Sequence, residues 1–344
     1  MIYYIAFLIL VSSLLIFSSY NKALSNTSFY ATVFITMLFS GFRYDAGNDF
    51  FTYVDMINGF FPYEKIEPIP RYLIIASSYL NSPWVFFLST SIMYILSICY
   101  FCVKLSPSPR LSFFMFCVMP ISLLTSFGYA RQFLAIGFFS VSLVNYLRGG
   151  TKGTLLFFFL AAMSHYSAMF FFPIFFMYRL ISYRKLSLVS YCIILASSFA
   201  SSGVIVSLAD YIGSYGSYIS EERFIDSGKK IGYVAIGMFF WFYTFSRNLK
   251  DKDDIFLLNM YFIFACAYAI LLPFGEYIIR VIYFLFPISY VLFAKTLTRD
   301  VNARVVQLML VISFGVALYF TTIYLAGTNS DRDFLTNYSI SILK

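Results

Sequence analysis

The chain has 344 residues, of which 60% are hydrophobic, 22% aromatic and only 12% charged, with a mean hydropathy of +0.80. Soluble domains carry roughly 25% charged residues, so a soluble enzyme is excluded and a polytopic membrane protein is indicated. The net charge of +8 has to be placed on the topology before it can be read as a footprint for a polyanion. Membrane-length apolar segments are predicted at 2–20, 26–42, 84–103, 111–127, 131–147, 154–164, 166–180, 186–207, 231–247, 255–273, 277–295 and 305–326. The first reads MIYYIAFLILVSSLLIFSSY and lacks a basic start and a small-residue cleavage site, so it is a retained helix. Residues 67–81, EPIPRYLIIASSYLN, are too short and proline-rich for a span and form an interfacial helix on the outer side. The pair around His165 is short for a crossing of about 20 residues. Two tilted spans meeting at MSHYS and one broken re-entrant hairpin both fit; a break is tolerated only where it lines a protein cavity. The fold class is therefore all-α, a single membrane domain over 1–344 with about 12 transmembrane or re-entrant helices. Its outer loops are 43–83 and 208–230, and its outer tail is 327–344. No repeats or low-complexity tracts stand out.

Charge supports this topology. The loops 21–27, 104–110, 148–153, 179–185, 248–254 and 296–304, with their bordering residues, hold 14 basic and 4 acidic residues, a net of +10. The remaining 10 basic and 12 acidic residues leave −2 on the other side. The positive-inside rule puts the first set in the cytosol and both termini outside. The excess positive charge is thus mostly a topology signal, and nucleic acid is not an expected partner. Five cysteines (Cys99, Cys102, Cys117, Cys192 and Cys266) fall within apolar runs. The Cys99/Cys102 spacing has no second pair or nearby histidine to complete a zinc site, so they read as small hydrophobes and no metal is expected.

With the cytosolic anchors set aside, four basic groups remain near outer helix ends: Arg43, Arg131, Arg280 and His165, the one histidine of the chain. Charges at membrane depth are costly, so they face a cavity or a partner. Each has a plain structural reading as well. Arg43 and Arg131 can snorkel, Arg280 can pair with Glu276 one turn earlier, and His165 can be a satisfied core histidine. Their shared side favours one anionic site. Guanidinium groups bind phosphate oxygens bidentately and stay charged. Asp45, Asp49 and Asp55 lie in the same outer stretch, and a carboxylate beside arginines can accept a proton from a sugar hydroxyl.

These motifs resemble the EpsG family of bacterial polysaccharide polymerases, within the broader Wzy-type group. The family opens on an outer loop reading roughly G-x-R-Y-x-x-G-x-D-[FY]-x-x-Y, matched here by Gly41, Arg43, Tyr44, Gly47, Asp49, Phe50 and Tyr53. Arg131-Gln132 is similar to a family Arg-Gln at a helix start. SHYSAMF around His165 follows, and then Arg280 ahead of Tyr283 and Phe284. Many relatives carry a Pro-Tyr near the end, whereas the tail here, FLTNYSISILK, has Tyr338 without the proline. The resemblance implies a GT-C-like glycosyltransferase without cofactor or metal. It would move a growing glycan from undecaprenyl diphosphate onto a lipid-linked oligosaccharide repeat unit, as in O-antigen, lipopolysaccharide, capsule or exopolysaccharide synthesis. It implies a bacterial inner-membrane location, a site facing the periplasm or outside, and a chain-length regulator as a partner class. Arg43, Arg131 and Arg280 would bind diphosphate. Asp49 or His165 would be the base, a choice left open. Tyr44, Tyr53, Gln132, Glu276 and Tyr283 would support them. A lipid-linked oligosaccharide flippase or transporter, a ligase and an O-acyltransferase are the alternatives. The flippase reading calls for deep basic residues on both sides of the bilayer.

Overall fold

The structure, a computed structural model, describes residues 1–20, 25–212, 226–249, 251–274, 276–328 and 335–340. About four fifths of the described residues are helical. Trp84–Leu105, Lys252–Leu271 and Val301–Ala326 are long and apolar enough to cross a membrane, and shorter apolar helices accompany them. The expected all-helical membrane architecture is therefore present. Most of the expected 208–230 loop lies outside the described residues.

The elements used below are α1 (Ile2–Tyr20), α2 (Ser25–Gly41), β1 (Arg43–Tyr44), α3 (Phe50–Ile57), α4 (Pro68–Tyr79), α5 (Trp84–Leu105), α6 (Pro109–Val118), α7 (Ala130–Leu147), α8 (Thr151–Ser164), α9 (Ile174–Ile181) and β2 (Ser339–Ile340). Two predicted segments are interrupted. The segment 111–127 stops being helical at Val118, where Met119 turns extended (ψ 150°). Pro120 follows, and proline disfavours helical backbone in the residue before it. The segment 277–295 breaks ahead of Pro287, which starts a separate helix, Ile288–Lys295.

The chain divides into two compact units. In the first, Met1–Phe172 with Leu308–Lys344, α7 packs on α5 and α8, and α2 packs on α1 and α5. At one end Arg148 Nη2 donates to the Lys104 carbonyl at 2.9 Å, joining two of the basic loops. At the other end, where α5 and α7 begin, the chain from β1 to α4 folds over an aromatic floor. Phe50 stacks on Phe87 (4.6 Å, 12°), Tyr53 tilts against Phe86 at 4.5 Å, and Ile57, Ile66 and Ile74 complete the cluster.

The tail closes this floor. Arg43 and Tyr44 pair with Ile340 and Ser339 in an antiparallel ladder, β1–β2. Tyr338 donates to the Phe39 carbonyl at 2.8 Å and stacks on Phe39 at 4.7 Å, and Tyr4 donates to the Leu335 carbonyl at 2.7 Å.

In the second unit, Pro173–Gln307, Lys295 pairs with Asp254 at 2.5 Å and Lys185 donates to the Ser246 carbonyl at 2.8 Å. Asn259 also reaches the Ile181 carbonyl at 2.6 Å. The loop ends 179–185, 248–254 and 295–296 thus gather at one end of this unit, as the charge pattern requires.

A short local repeat, not apparent in the sequence, emerges from the backbone. Tyr166–Phe171 and Arg280–Leu285 are both six-residue 3-10 turns. Each runs through Phe-Pro-Ile into an eight-residue helix, Ile174–Ile181 and Ile288–Lys295. The capping prolines have near-identical angles, φ −58°, ψ −21° at Pro173 and φ −54°, ψ −24° at Pro287.

Gly47 fixes how the outer loop docks. Its φ is +110°, and a Cβ there would stand 1.9 Å from the Phe127 carbonyl oxygen. Only glycine tolerates this backbone at such close approach. Gly47→Ala is expected to lose on the order of 3 kcal/mol or to fail to accumulate. Thermal unfolding of the solubilised protein, or its yield in membranes, checks this.

Candidate active site

The polar cluster over this floor begins with Glu67. As the residue before a proline it is extended (φ −56°, ψ 151°) and precedes the first turn of α4. A residue at this cap position usually turns its side chain onto the N–H two or three residues on. Here Pro70 has no N–H to offer, and Glu67 makes no side-chain cap bond. EPIP therefore starts a helix while leaving its carboxylate for other partners.

Two partners take it. Arg131, the second residue of α7, donates from Nη1 to Glu67 Oε2 at 2.7 Å. His165 places Nδ1 2.7 Å from Oε1. The His165 backbone is extended (φ −160°, ψ 121°) where α8 ends and the 3-10 turn begins, which throws the imidazole off the helix end. Arg131 also donates from Nε to the Tyr53 hydroxyl at 3.0 Å. Four elements remote in sequence thus meet in one network within the first unit.

The electrostatics follow from burial. Glu67 is only 4% exposed, and burial alone would push its carboxyl up. The hydrogen bond with His165 and the charge of Arg131 outweigh this and hold it down at about 2. Burial pushes the Tyr53 phenol up to about 12, so it accepts from Arg131 as a neutral hydroxyl. The Arg131 and His165 side chains remain 31% and 28% exposed, so the cluster is open to a ligand on their side.

The other predicted site residues fall elsewhere. Arg43 is 2% exposed, with Nη1 2.6 Å from the Ser40 carbonyl and its guanidinium over Phe87 (4.7 Å) and Phe127 (5.1 Å). Burial lowers its pKa to about 10, which leaves it charged at neutral pH. The cavity it lines with Ser40, Ser91 and Ser126 measures about 10 Å³, room for about one water. Arg43 thus lies in the floor, and its expected diphosphate role stands on the resemblance alone. Tyr44 packs edge-on against Phe50 at 5.5 Å. Asp49 opens α3 without a side-chain cap bond. Gln132 is buried at 6% exposure beside Arg131. Arg280 starts the second 3-10 turn, in the second unit, and Tyr283 lies within it, buried. The Glu276 side chain lies outside the described residues. Among the described residues, no group of three His, Cys, Asp or Glu side chains converges on a metal position.

Sequence reasoning missed Glu67. Its signal was present: a carboxylate ahead of Pro-x-Pro has one of its two usual capping N–H groups removed and lies on the same predicted side as Arg131 and His165. The arrangement can bind an anion through the remaining guanidinium donors and can accept a proton beside it.

Fold and site together define an all-helical membrane protein with a buried carboxylate holding an arginine and a histidine at one end of its helices. The EpsG family model matches residues 26–340, nearly the whole chain, and the protein belongs to the EpsG family. No characterised protein and no solved structure matches it significantly.

The Glu67 carboxyl lies below its ordinary value of 4.5 in the folded state, at about 2. Its contribution is therefore complete above pH 4.5 and lost as pH falls towards 2. A shift of this size corresponds to about 3 kcal/mol. The stability difference between wild type and Glu67→Gln should be level above pH 4.5 and vanish towards pH 2. Thermal unfolding of both proteins across that range tests it; a difference that does not change with pH would rule out an ionised Glu67 in the pair.

Proposed function

We propose that the protein is a polysaccharide polymerase of the lipid-linked type. It transfers a growing glycan from undecaprenyl diphosphate onto a lipid-linked oligosaccharide repeat unit at the outer face of the bacterial inner membrane. Family membership supports polysaccharide synthesis in a membrane, and one observation carries the reaction class. Arg131 spends two of its guanidinium N–H groups on Glu67 and Tyr53. A guanidinium has five, so an edge is left for phosphate oxygens beside a histidine.

This cluster lies at the helix ends opposite the basic loops 104–110 and 148–153. In a topology of about 12 membrane segments, GT-C-like in plan, that end is the outer one and matches the depth of a lipid headgroup. Arg131 would stabilise negative charge as the diphosphate departs, in place of a metal ion. Asp49 or His165 takes the proton of the attacking hydroxyl.

The test is a gel of lipid-linked glycans from cells lacking the protein, complemented with wild type or Arg131→Lys at matched membrane levels. Wild type should restore a ladder. Lysine keeps the charge but not the fork, and losing one charge-assisted contact of 1.5–3 kcal/mol predicts a drop of about 10- to 150-fold towards a single-repeat band. A normal ladder in the deletion strain sinks the polymerase reading. Loss of the single-repeat band as well points to export or ligation.

A further inference from the structure

We infer that Glu67 is a positioning residue that fixes the tautomer of His165, holding the proton on Nδ1 and leaving Nε2 bare to take the proton of the attacking hydroxyl. This rests on the transferase reading above and, of the two bases it names, takes His165. The argument is one of donors and acceptors. An ionised carboxylate only accepts, and Arg131 on Oε2 keeps Glu67 ionised. The His165 Nδ1, 2.7 Å from Oε1, must then be the donor. A neutral imidazole carries one N–H, so Nε2 holds a lone pair. That is the reverse of the tautomer favoured by an unconstrained imidazole in water.

The two oxygens of one carboxylate thereby set the spacing between the phosphate ligand and the base. In the transfer, the acceptor hydroxyl gives its proton to Nε2 while its oxygen bonds to the anomeric carbon of the donor. The bond from that carbon to the phosphate oxygen breaks, and its electron pair leaves with undecaprenyl diphosphate. Glu67 stays ionised and stabilises the imidazolium, which then releases its proton to water.

The surroundings leave Glu67 as the group that directs the ring. On α7, Arg131 reaches the carboxylate rather than the imidazole, and Tyr53 of α3 is held by Arg131. On α4, Arg71 donates to the Glu64 carbonyl and Tyr72 is exposed at 65%. Tyr166, next in the chain, is 51% exposed.

His165 is the only histidine, so labelling with ¹⁵N-histidine gives one imidazole to observe. The protein would be purified through a histidine-free tag and placed in lipid nanodiscs. The expected spectrum of the neutral ring shows Nδ1 protonated and Nε2 bare, with no substrate present. A predominantly Nε2-protonated ring overturns the inference. Kinetics on a lipid-linked repeat unit give the second arm. Glu67→Gln should lower kcat at least tenfold with KM changed less than about threefold, and Glu67→Asp should recover part of the loss. A rise in KM alone, with kcat intact, would make Glu67 only an anchor for Arg131 and overturn the inference. Absence of polymer from wild type would overturn the transferase reading, and the spectrum, which needs no turnover, would still decide where the proton sits.

Discussion

Everything at the Glu67 end of the first unit depends on keeping one carboxylate ionised where it is 4% exposed. An isolated buried carboxylate would take up a proton rather than bear the desolvation cost. Glu67 avoids this by giving one oxygen to Arg131 and the other to His165. The bargain constrains three backbones at once. The first turn of α4, the start of α7 and the break after α8 must stay in register to within a hydrogen bond. Removing any one partner would strand a charge.

The floor beneath is built from a second buried charge with a different solution. Arg43 has no carboxylate partner among the described residues. Two aromatic faces, a carbonyl and a serine hydroxyl take its charge instead. A cation held against ring faces keeps its charge while adding apolar packing. The Gly-x-Arg-Tyr-x-x-Gly sequence is thus explained by packing: the first glycine ends α2 against Leu88, the arginine fills the floor, and the second glycine seats the loop on Phe127.

Much of this was legible in the sequence, and the failures share a cause. Apolar runs located the helices because burial in lipid requires them. Hydropathy does not register a missing N–H, so the breaks before Pro120 and Pro287 passed unseen. Arg131 and His165 stood out because charges at membrane depth are rare. Glu67 did not, because EKIEP looks like a solvated loop, and only the fold shows that its carboxylate meets Arg131 and His165. Arg43 was read as accessible because a motif gives residue identity but not depth. Phe87, Phe127 and the paired Ile340 lie against it, and such distant contacts leave no mark in the local pattern.

The pairing of Arg43 with Ile340 has a consequence for how the protein is made. A ribosome delivers the chain in order, so β1 enters the membrane system nearly 300 residues before its partner strand exists. Until then Tyr4, Phe39 and Arg43 lack the Leu335 and Tyr338 groups that cover them. The aromatic floor is therefore the last part of its unit to be sealed. Insertion of the helices and completion of this floor are separate events, with the second waiting on the 335–340 segment. A nascent chain stalled before that point would be threaded through the bilayer yet unfinished where the chemistry is proposed to occur.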